Sequence, residues 1–393
     1  MGSGKMNTRM SRNRANRKNY MKILSASFIL IAVFTLTLIY SYNKALSISK
    51  KNNTNYNLPN NETSSNVKKP VTDKIPPKEK KPEPVEIVLS AAGDCTIGTD
   101  LSFDKSSSLP AVVMNNNNGL SYLFKNALPY FKEDDITIVN LETTFTDSDT
   151  PANKQFRFKA PVSFASALPL GSIEAVNISN NHIYDYLDKG LNDTLKALKN
   201  QNVNYFGEGN VWIKEIKGVK FGFLGYTGWN SSAEIKNKIK KDIENLRNNN
   251  CIVIVSFHWG VENSNFPNST QKELGHFAID EGADLVIGHH PHVIEGIEKY
   301  KNKYICYSLG NFCFGGNVNP SDKDTFIFQV KFTADSGNII KYEVRAVPFS
   351  ISSVNYINDY CPTPLTGASK NRVLKRINDY YPNNEFKITN SFQ

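Results

Sequence analysis

Cysteine is scarce in this chain. Its 393 residues include five cysteines, an odd number, and no two of them form a Cys-x-x-Cys motif. At this length, such a set argues against a fold built on disulfide bonds. The sequence leaves open whether Cys306 and Cys313 form a single disulfide bond.

Acidic residues are absent from the first 22 positions, which hold seven lysines and arginines. Residues 41–84 carry nine lysines against four acids, so the chain from residue 85 onward has a balance of about −3, although the overall charge is +9. The basic charge therefore belongs to a tail and a linker. It does not indicate a nucleic-acid-binding domain, and we expect no nucleic acid as a partner.

Charged residues are also absent from the apolar run Ile23–Tyr40. Its length is about what an α-helix needs to cross a bilayer. The run ends in tyrosines without a small-x-small cleavage site, which favours an uncleaved anchor over the alternative, a cleaved signal peptide. Because the basic flank comes first, we expect a single-pass protein of the cell membrane, with residues 1–22 in the cytoplasm and the main domain outside the cell.

Residues 41–84 are rich in asparagine, serine, lysine and proline and contain few apolar side chains. This composition predicts a disordered tether with a coil-like span of roughly 35–40 Å. We expect a folded domain over residues 85–350 and a C-terminal extension over 351–393 with one terminal helix.

From residue 85 onward, strand-like apolar runs alternate with amphipathic helical segments, which predicts α/β layering. The predicted strands cover residues 86–92, 136–142, 175–179, 219–226, 252–257, 283–287 and 304–309. Helical spacing occurs over 120–131, 191–198, 233–248, 271–281 and 369–381. Residues 326–349 alternate in polarity around an Asp-Ser-Gly-Asn turn, which predicts an antiparallel hairpin.

Metal-ligand side chains follow five of the predicted strands. In an α/β sheet the loops at the strand ends gather at one edge, where ligands bind. Carboxylates, an amide and neutral imidazoles suit Mn, Fe or Zn. The richest stretch is VIGHHPHVIEG, in which two histidines flank a proline and could converge on one ion if the loop is extended. The residues at the five tips are Asp94; Asn140 or Glu142; Asn181 with His182; His258; and His290 with His292.

The order of these motifs resembles the calcineurin-type metallophosphoesterases and, more closely, the CapA family of poly-γ-glutamate capsule biosynthesis proteins. The matching stretches span about residues 86–316: AAGDCTIG, VNLETTFT, ISNNHIYDYLDKGLNDTL, FGFLGYT, VSFHWGVE, GADLVIGHHPHVIEGIE and YSLGNFCFG. The resemblance implies a four-layer α/β/β/α metallophosphatase-like sandwich. It also implies a membrane-anchored subunit of the machinery that makes or exports an anionic polymer.

The resemblance further implies a role for each strand tip. The residues that match metal ligands are Asp94, Glu142, Asn181, His258, His290 and His292. His182 matches the histidine that protonates or positions the leaving group, and His289 is a neighbour. The chain departs from the superfamily at Thr96, where an imidazole is usual, and at Glu142, where the shorter Asp is usual. Ile183 stands where an acid is usual, with Asp185 the nearest carboxylate. With these departures, the resemblance implies one or two ions.

We therefore expect an extracytoplasmic CapA-like protein that takes part in synthesis or export of poly-γ-glutamate or a related anionic polymer, beside membrane-bound synthase subunits. The alternatives are a stand-alone metal-dependent phosphatase or phosphodiesterase acting on a phosphate-bearing substrate, and a non-catalytic scaffold. The basic strip Lys154, Arg157 and Lys159 is either a charged strand face or the rim of an anionic-substrate site. Asn311 and Glu262 are candidates to support the predicted site.

Overall fold

A computed structural model describes residues 83–117, 119–335, 337–381 and 385–393. The predicted tail, the anchor and nearly all of the tether, residues 1–82, lie outside the described residues. Within the described part of the chain, no helix has the length and apolar character needed to cross a membrane. The described ranges belong to one compact unit.

Seventeen strands lie in the described ranges. They are β1 (Val85–Thr96), β2 (Thr99–Asp100), β3 (Ile136–Leu141), β4 (Thr144–Phe145), β5 (Phe158–Ala160), β6 (Ala175–Asn177), β7 (Asn204–Phe206), β8 (Trp212–Ile216), β9 (Val219–Gly228), β10 (Cys251–Trp259), β11 (Leu285–His289), β12 (Ile297–Tyr300), β13 (Lys303–Cys306), β14 (Asn311–Phe314), β15 (Asp324–Asp335), β16 (Asn338–Ser350) and β17 (Thr363–Pro364).

The same ranges hold seven α-helices and two 3-10 turns, Gly119–Tyr122 and Val162–Ser166. The helices are α1 (Leu109–Met114), α2 (Leu128–Glu133), α3 (Ala167–Leu170), α4 (Leu187–Asn200), α5 (Ala233–Asn248), α6 (Ser269–Asp280) and α7 (Gly367–Asp379).

Two large sheets form the centre of the fold. The first has eight strands in the order β17-β16-β15-β1-β3-β6-β7, with β14 also paired to β1. The second has six strands in the order β12-β13-β11-β10-β9-β8. In each sheet the central strands run parallel, β1 with β3 and β6 in the first and β9 with β10 and β11 in the second. Their carboxyl ends therefore lie at one edge of each sheet. A three-stranded sheet, β2-β5-β4, completes the set.

Apolar side chains from both sheets fill the space between them. The first sheet contributes Ile87, Ile138 and Phe328, and the second contributes Phe223 and Ile254. Strands buried on both faces need apolar residues at every position, and β10 is buried along its whole length. This explains why the predicted strands read as continuous apolar runs.

Helices cover the outer face of each sheet. Val139 of the first sheet belongs to a core with Phe131 of α2 and Leu198 of α4. On the second sheet, side chains of β10 form a core with Ile243 of α5 and Leu274 of α6. The fold is thus mixed α/β, with two facing sheets between helical layers, and it fits the metallophosphatase-like architecture that the resemblance implies.

Two local predictions need correction, and the open question of a disulfide is answered. The strand that begins at Val85 continues to Thr96, so Asp94 lies within it and not in a following loop. Residues 120–131 do not form one helix, because Pro129 has no N–H and fits only the first turn of α2. Cys306 and Cys313 are both free and buried, as are the other cysteines of the chain.

The segment predicted as a C-terminal extension contributes to the same cores. Strand β17 extends the eight-stranded sheet. Val373 and Ile377 of α7 join the core between the sheets, as does Ile388. The backbone amide of Ala346 donates to the carbonyl of Thr389, so the last residues run along β16.

Candidate metal centre

The seven predicted site residues come together at the carboxyl ends of the parallel strands. Asp94 lies in β1, and Glu142 directly follows β3. Asn181 and His182 follow β6, whereas His258 is in β10 and the last two histidines follow β11. Strand register aligns the tips within each sheet, with Asp94 opposite Asn140 and His258 opposite His289. Both sheets therefore contribute side chains to one site.

Asp94, in the first sheet, contacts histidines at the end of β11 in the second sheet. Its carboxylate accepts from Asn140 Nδ2 at 2.8 Å and from the backbone amide of His290 at 3.2 Å. His292 Nδ1 lies 3.3 Å and His289 Nδ1 3.5 Å from its two oxygens. Burial by itself would raise the pKa of Asp94, but the adjacent imidazoles of His289 and His292 hold the pKa well below the usual value. Asp94 is thus an anion in the folded chain.

The surroundings of the Glu142 carboxylate indicate whether a cation fits the site. Its side chain is 0% exposed, and neither carboxylate oxygen has a hydrogen-bond partner among the described residues. The nearest imidazole nitrogens are His258 Nε2 at 3.5 Å and His292 Nε2 at 3.9 Å. Burial, together with the charge of Asp94, raises its pKa well above the usual range. A buried carboxylate without partners is unfavourable, and a metal ion would supply the missing positive charge.

The side chains form two ligand groups that share only Glu142. One group is Glu142, His258 and His290, and the other is Asp94, Glu142 and His292, each with ligand atoms within 4.8 Å of one another. Glu142 would therefore be a ligand common to both groups if each held a cation. A third group, Glu262 with His290 and His292, reuses both of these histidines. The donor set of carboxylates and imidazoles fits Mn, Fe or Zn and does not select among them.

His258 has the protonation state that a ligand needs. Burial lowers the pKa of His258 well below the usual value, so the imidazole is neutral. Its Nε2 lies 2.8 Å from Asn181 Oδ1, and its Nδ1 lies 3.3 Å from Asn140 Nδ2. The amide oxygen of Asn140 accepts from Asn177 at 3.1 Å and from Asn180 at 3.3 Å. Of the two alternatives at this tip, Glu142 is therefore the ligand candidate and Asn140 the residue that orients its neighbours.

The loop after β11 is not extended, so the condition under which its two histidines were expected to converge on one ion is not met. His290 has φ of 100° and His292 has φ of 59°, values that side chains with a Cβ rarely adopt. Such conformations cost about 1–3 kcal/mol each and persist where surrounding contacts hold them. Here Asn311 holds His292, with its Oδ1 2.9 Å from the ring Nδ1 and its Nδ2 donating to the backbone carbonyl at 3.0 Å. Around Glu142, the two rings belong to different ligand groups.

Two residues outside the ligand groups, Asp185 and Lys154, orient His182. Its Nδ1 lies 2.7 Å from Asp185 Oδ2, and Lys154 donates to the other oxygen of Asp185 at 2.7 Å. Lys154 also donates to the backbone carbonyl of Asn181 at 2.7 Å. Asp185 thus provides, three residues later, the carboxylate that the motif lacks after His182. Burial lowers the pKa of His182 despite this carboxylate, and Nε2 is the ring nitrogen left for a substrate.

Sequence reasoning missed Trp229 and undervalued two other residues. The Trp229 ring stands edge-on to His258 and His290, with centroids 5.7 and 4.8 Å apart. It follows the end of β9 directly, and this position at a strand tip was the signal available. Glu262 and Lys154 were named only as weak candidates, because a single charged residue in a loop has no sequence pattern that places it.

The family is decided by the match over the motif region. The model of the family "Bacterial capsule synthesis protein PGA_cap" matches residues 88–316, more than half of the chain. The chain belongs to this PGA_cap family. The matched residues contain all seven predicted site residues.

Proteins similar to this chain carry related descriptions. The chain is 31% identical over 290 residues to "Capsule biosynthesis protein CapA" of Bacillus anthracis, covering 67% of this chain and 68% of that protein. It is 30% identical over 223 residues to "PGA biosynthesis protein CapA" of Bacillus subtilis strain 168, covering 51% and 59%. A crystal structure of a Thermus thermophilus protein aligns with a TM-score of 0.37 at 9% identity, covering 67% of this chain and 99% of that one. A likeness of that size does not establish a shared fold.

Proposed function

We propose that this protein takes part in the synthesis or export of poly-γ-glutamate or a related anionic capsule polymer. Membership of the PGA_cap family supports the proposal, as do the names of the two CapA relatives. We further propose that the segment Ile23–Tyr40 anchors the protein in the cell membrane, with the domain that starts near residue 85 outside the cell. There it would lie beside membrane-bound synthase subunits.

The proposed chemistry at the site is metal-assisted hydrolysis of a phosphoester. The single observation that carries it is the buried carboxylate of Glu142, which lacks partners among the described residues and lies among imidazoles. A divalent cation at this position supplies Lewis acidity toward water and toward phosphoryl oxygens. His182 would exchange a proton with the leaving group at Nε2, while Asp185 fixes the ring through Nδ1. Asn181 and Asn140 orient the ring of His258 through contacts with its two nitrogens.

Complementation of a gene deletion tests the role in the polymer. Cell-surface polymer should disappear on deletion and return with the wild-type gene. The His290→Ala/His292→Ala double variant should fail to restore it. His276→Ala is the matched control, because His276, on α6, pairs with Glu298 of β12 and is absent from the ligand groups. Unchanged polymer in the deletion strain would refute the role in the polymer. Full rescue by the double variant would show that the protein acts as a scaffold and does not need the metal-ligand residues.

A stand-alone phosphatase or phosphodiesterase is the second candidate. The His182–Asp185 pair beside the ligand groups favours it, because a positioned imidazole is what a leaving-group oxygen requires. Purified full-length protein with Mn²⁺ should hydrolyse aryl phosphates. The absence of turnover above that of the His182→Ala variant removes this candidate. Elemental analysis of the same samples separates both catalytic candidates from a scaffold without metal.

A separate experiment tests whether the main domain lies outside the cell. Protease added to intact protoplasts should degrade the domain that carries His258 and leave the first 22 residues protected. Protection of the domain in intact protoplasts, with cleavage only after lysis, would contradict the proposed orientation.

A further inference from the structure

A cavity of about 410 Å³ opens beside the candidate metal centre. Its inner end is formed by His182, His292 and Asn311, and Glu262 lies at the same cavity. The volume is within the range of about 300–1,000 Å³ typical of sites for small molecules. A phosphoryl group at the metal centre would therefore place the organic part of its ester in this cavity.

Aromatic rings form the walls of the cavity. Phe103 lies 6.1 Å from Phe156 and 6.5 Å from Phe158 between ring centroids, both in tilted arrangements. The Phe158 ring lies 4.4 Å from that of His182. On the other side, the Phe314 ring lies 5.0 Å from that of His292. Two phenylalanines thus touch the site histidines, and the wall continues outward from them.

Phe156 is the exposed member of this wall. Its side chain is 43% exposed, whereas those of Phe158 and Phe314 are buried. A half-exposed aromatic ring over a cavity is the arrangement that stacks on a flat ligand ring, because stacking then removes apolar surface of both rings from water. Apolar side chains of Val293, Val318 and Pro320 extend the same surface.

Apart from the histidines, the ionisable residues that line the cavity are acidic. Asp104, Glu262 and Asp322 line it, and among the described residues that do so there is no lysine or arginine. Asp322 is held by Arg376 from outside, at 2.5 Å between Oδ2 and Nη2. An extended polyglutamate chain would bring one carboxylate per residue toward Asp104 and Glu262, and no described lysine or arginine lines the cavity to pair with it. The cavity therefore does not suit the polymer.

Resting on the phosphoester chemistry proposed above, we infer that the cavity binds a small phosphoester whose organic part carries a flat, uncharged ring. Nucleoside monophosphates and aryl phosphates share this chemistry. The polymer is then not the substrate of this site, and the hydrolysis acts on a small molecule that accompanies polymer synthesis.

Adenosine monophosphate and ribose 5-phosphate provide a matched pair, because both are 5-phosphate esters of ribose and only the first carries a base. With Mn²⁺-loaded full-length protein, we expect kcat/KM to be about 5- to 100-fold higher for adenosine monophosphate, the size of one stacked ring. Phenyl phosphate is the third substrate, and its rank against adenosine monophosphate separates an aryl from a nucleoside preference. Phe156→Ala should bring the ratio of the first two toward one.

Binding without metal provides a readout that does not depend on activity. Isothermal titration of the metal-free protein should detect adenosine and not ribose, and Phe156→Ala should weaken adenosine binding about tenfold or more. Phe266→Ala is the matched control, because Phe266 is 56% exposed and does not line the cavity. This variant should keep the wild-type ratio and the wild-type affinity.

The outcomes separate this inference from the proposed function. Equal turnover of the two phosphates with no adenosine binding overturns the inference, while the hydrolytic function stands. Adenosine binding without turnover of any phosphoester supports the ring site and refutes the hydrolysis. Displacement of adenosine by a γ-linked glutamate oligomer overturns the argument from charge.

Discussion

The substitution Glu142→Gln should affect stability in opposite directions with and without metal. In the metal-free protein it removes a carboxylate that is fully buried and has no hydrogen-bond partner among the described residues. Because burial raises the pKa of Glu142 well above the usual range, the metal-free chain must take up a proton to bury this side chain at neutral pH. An amide needs no proton, so the free energy of unfolding should rise by about 1 kcal/mol or more. His292 keeps Asp94 as its anionic neighbour at 3.3 Å, which limits any loss from the change.

With metal the order should reverse. A ligand at 100 times its Kd stabilises the wild-type protein by about 2.7 kcal/mol. Glu142 belongs to both ligand groups that can be occupied together, so its loss affects each of them. A 100-fold loss of affinity would leave about 0.4 kcal/mol of stabilisation at the same metal concentration.

Urea unfolding with and without Mn²⁺ measures both effects. Glu298→Gln is the matched control, because Glu298 is also a buried glutamate but accepts from Tyr307 at 2.6 Å and from His276 at 2.9 Å. That variant should lose stability and keep the full response to metal. An unchanged Mn²⁺ response in Glu142→Gln would show that Glu142 is not a ligand. A large loss of metal-free stability would show that the carboxylate has partners.

Three other perturbations test separate parts of the protein. Burial raises the pKa of Glu295 to about 8, so stability should fall as pH rises from about 5 to about 8, and Glu295→Gln should remove up to about 4–5 kcal/mol of that fall in urea titrations. Asp185→Asn should lower kcat on aryl phosphates about 10- to 100-fold, because His182 loses the carboxylate that orients its ring. Gly93→Ala should destabilise the fold by about 1–3 kcal/mol in thermal unfolding, since a Cβ there would lie 2.0 Å from the carbonyl oxygen of Gly310.

The sign of the Glu295 effect follows from linkage. Its pKa in the folded chain is above that of the unfolded chain, so the folded chain binds the extra proton between those two values, and each rise in pH costs stability there. Glu281→Gln, at a partly exposed acid, should leave the slope unchanged. Asp188→Asn, on an exposed turn of α4, should leave kcat unchanged. A Gly93→Ala protein with wild-type melting would show that β1 and the loop of Gly310 can separate at no cost.

Much of the fold could be predicted because its central strands are buried on both faces. Continuous apolar runs marked β3, β9 and β10 to within a few residues, and the amphipathic pattern of α5 matched Ala233–Asn248. The long alternating segment formed the hairpin of β15 and β16 as expected. The prediction failed at residues 120–131, where apolar spacing alone did not reveal that Pro129 interrupts the helix.

The metal centre could be predicted less completely than the strands. Metal-ligand residue types at successive strand tips were visible in the sequence, and the motif order linked them to a family. The division of His290 and His292 between two ligand groups was not visible, because it depends on their unusual φ values. The support that Lys154 gives to Asp185 was not visible either, since 31 residues separate them.

The sequence by itself determined which residue types stand at the ends of buried strands, since apolar periodicity and chain order are local properties. Only the tertiary structure decided that both sheets deliver these residues to one place. That depends on strand order, on register and on the packing between the sheets. The unpartnered carboxylate of Glu142 and the phenylalanine-walled cavity beside it, both within the described part of the chain, exist only because side chains distant in sequence surround them.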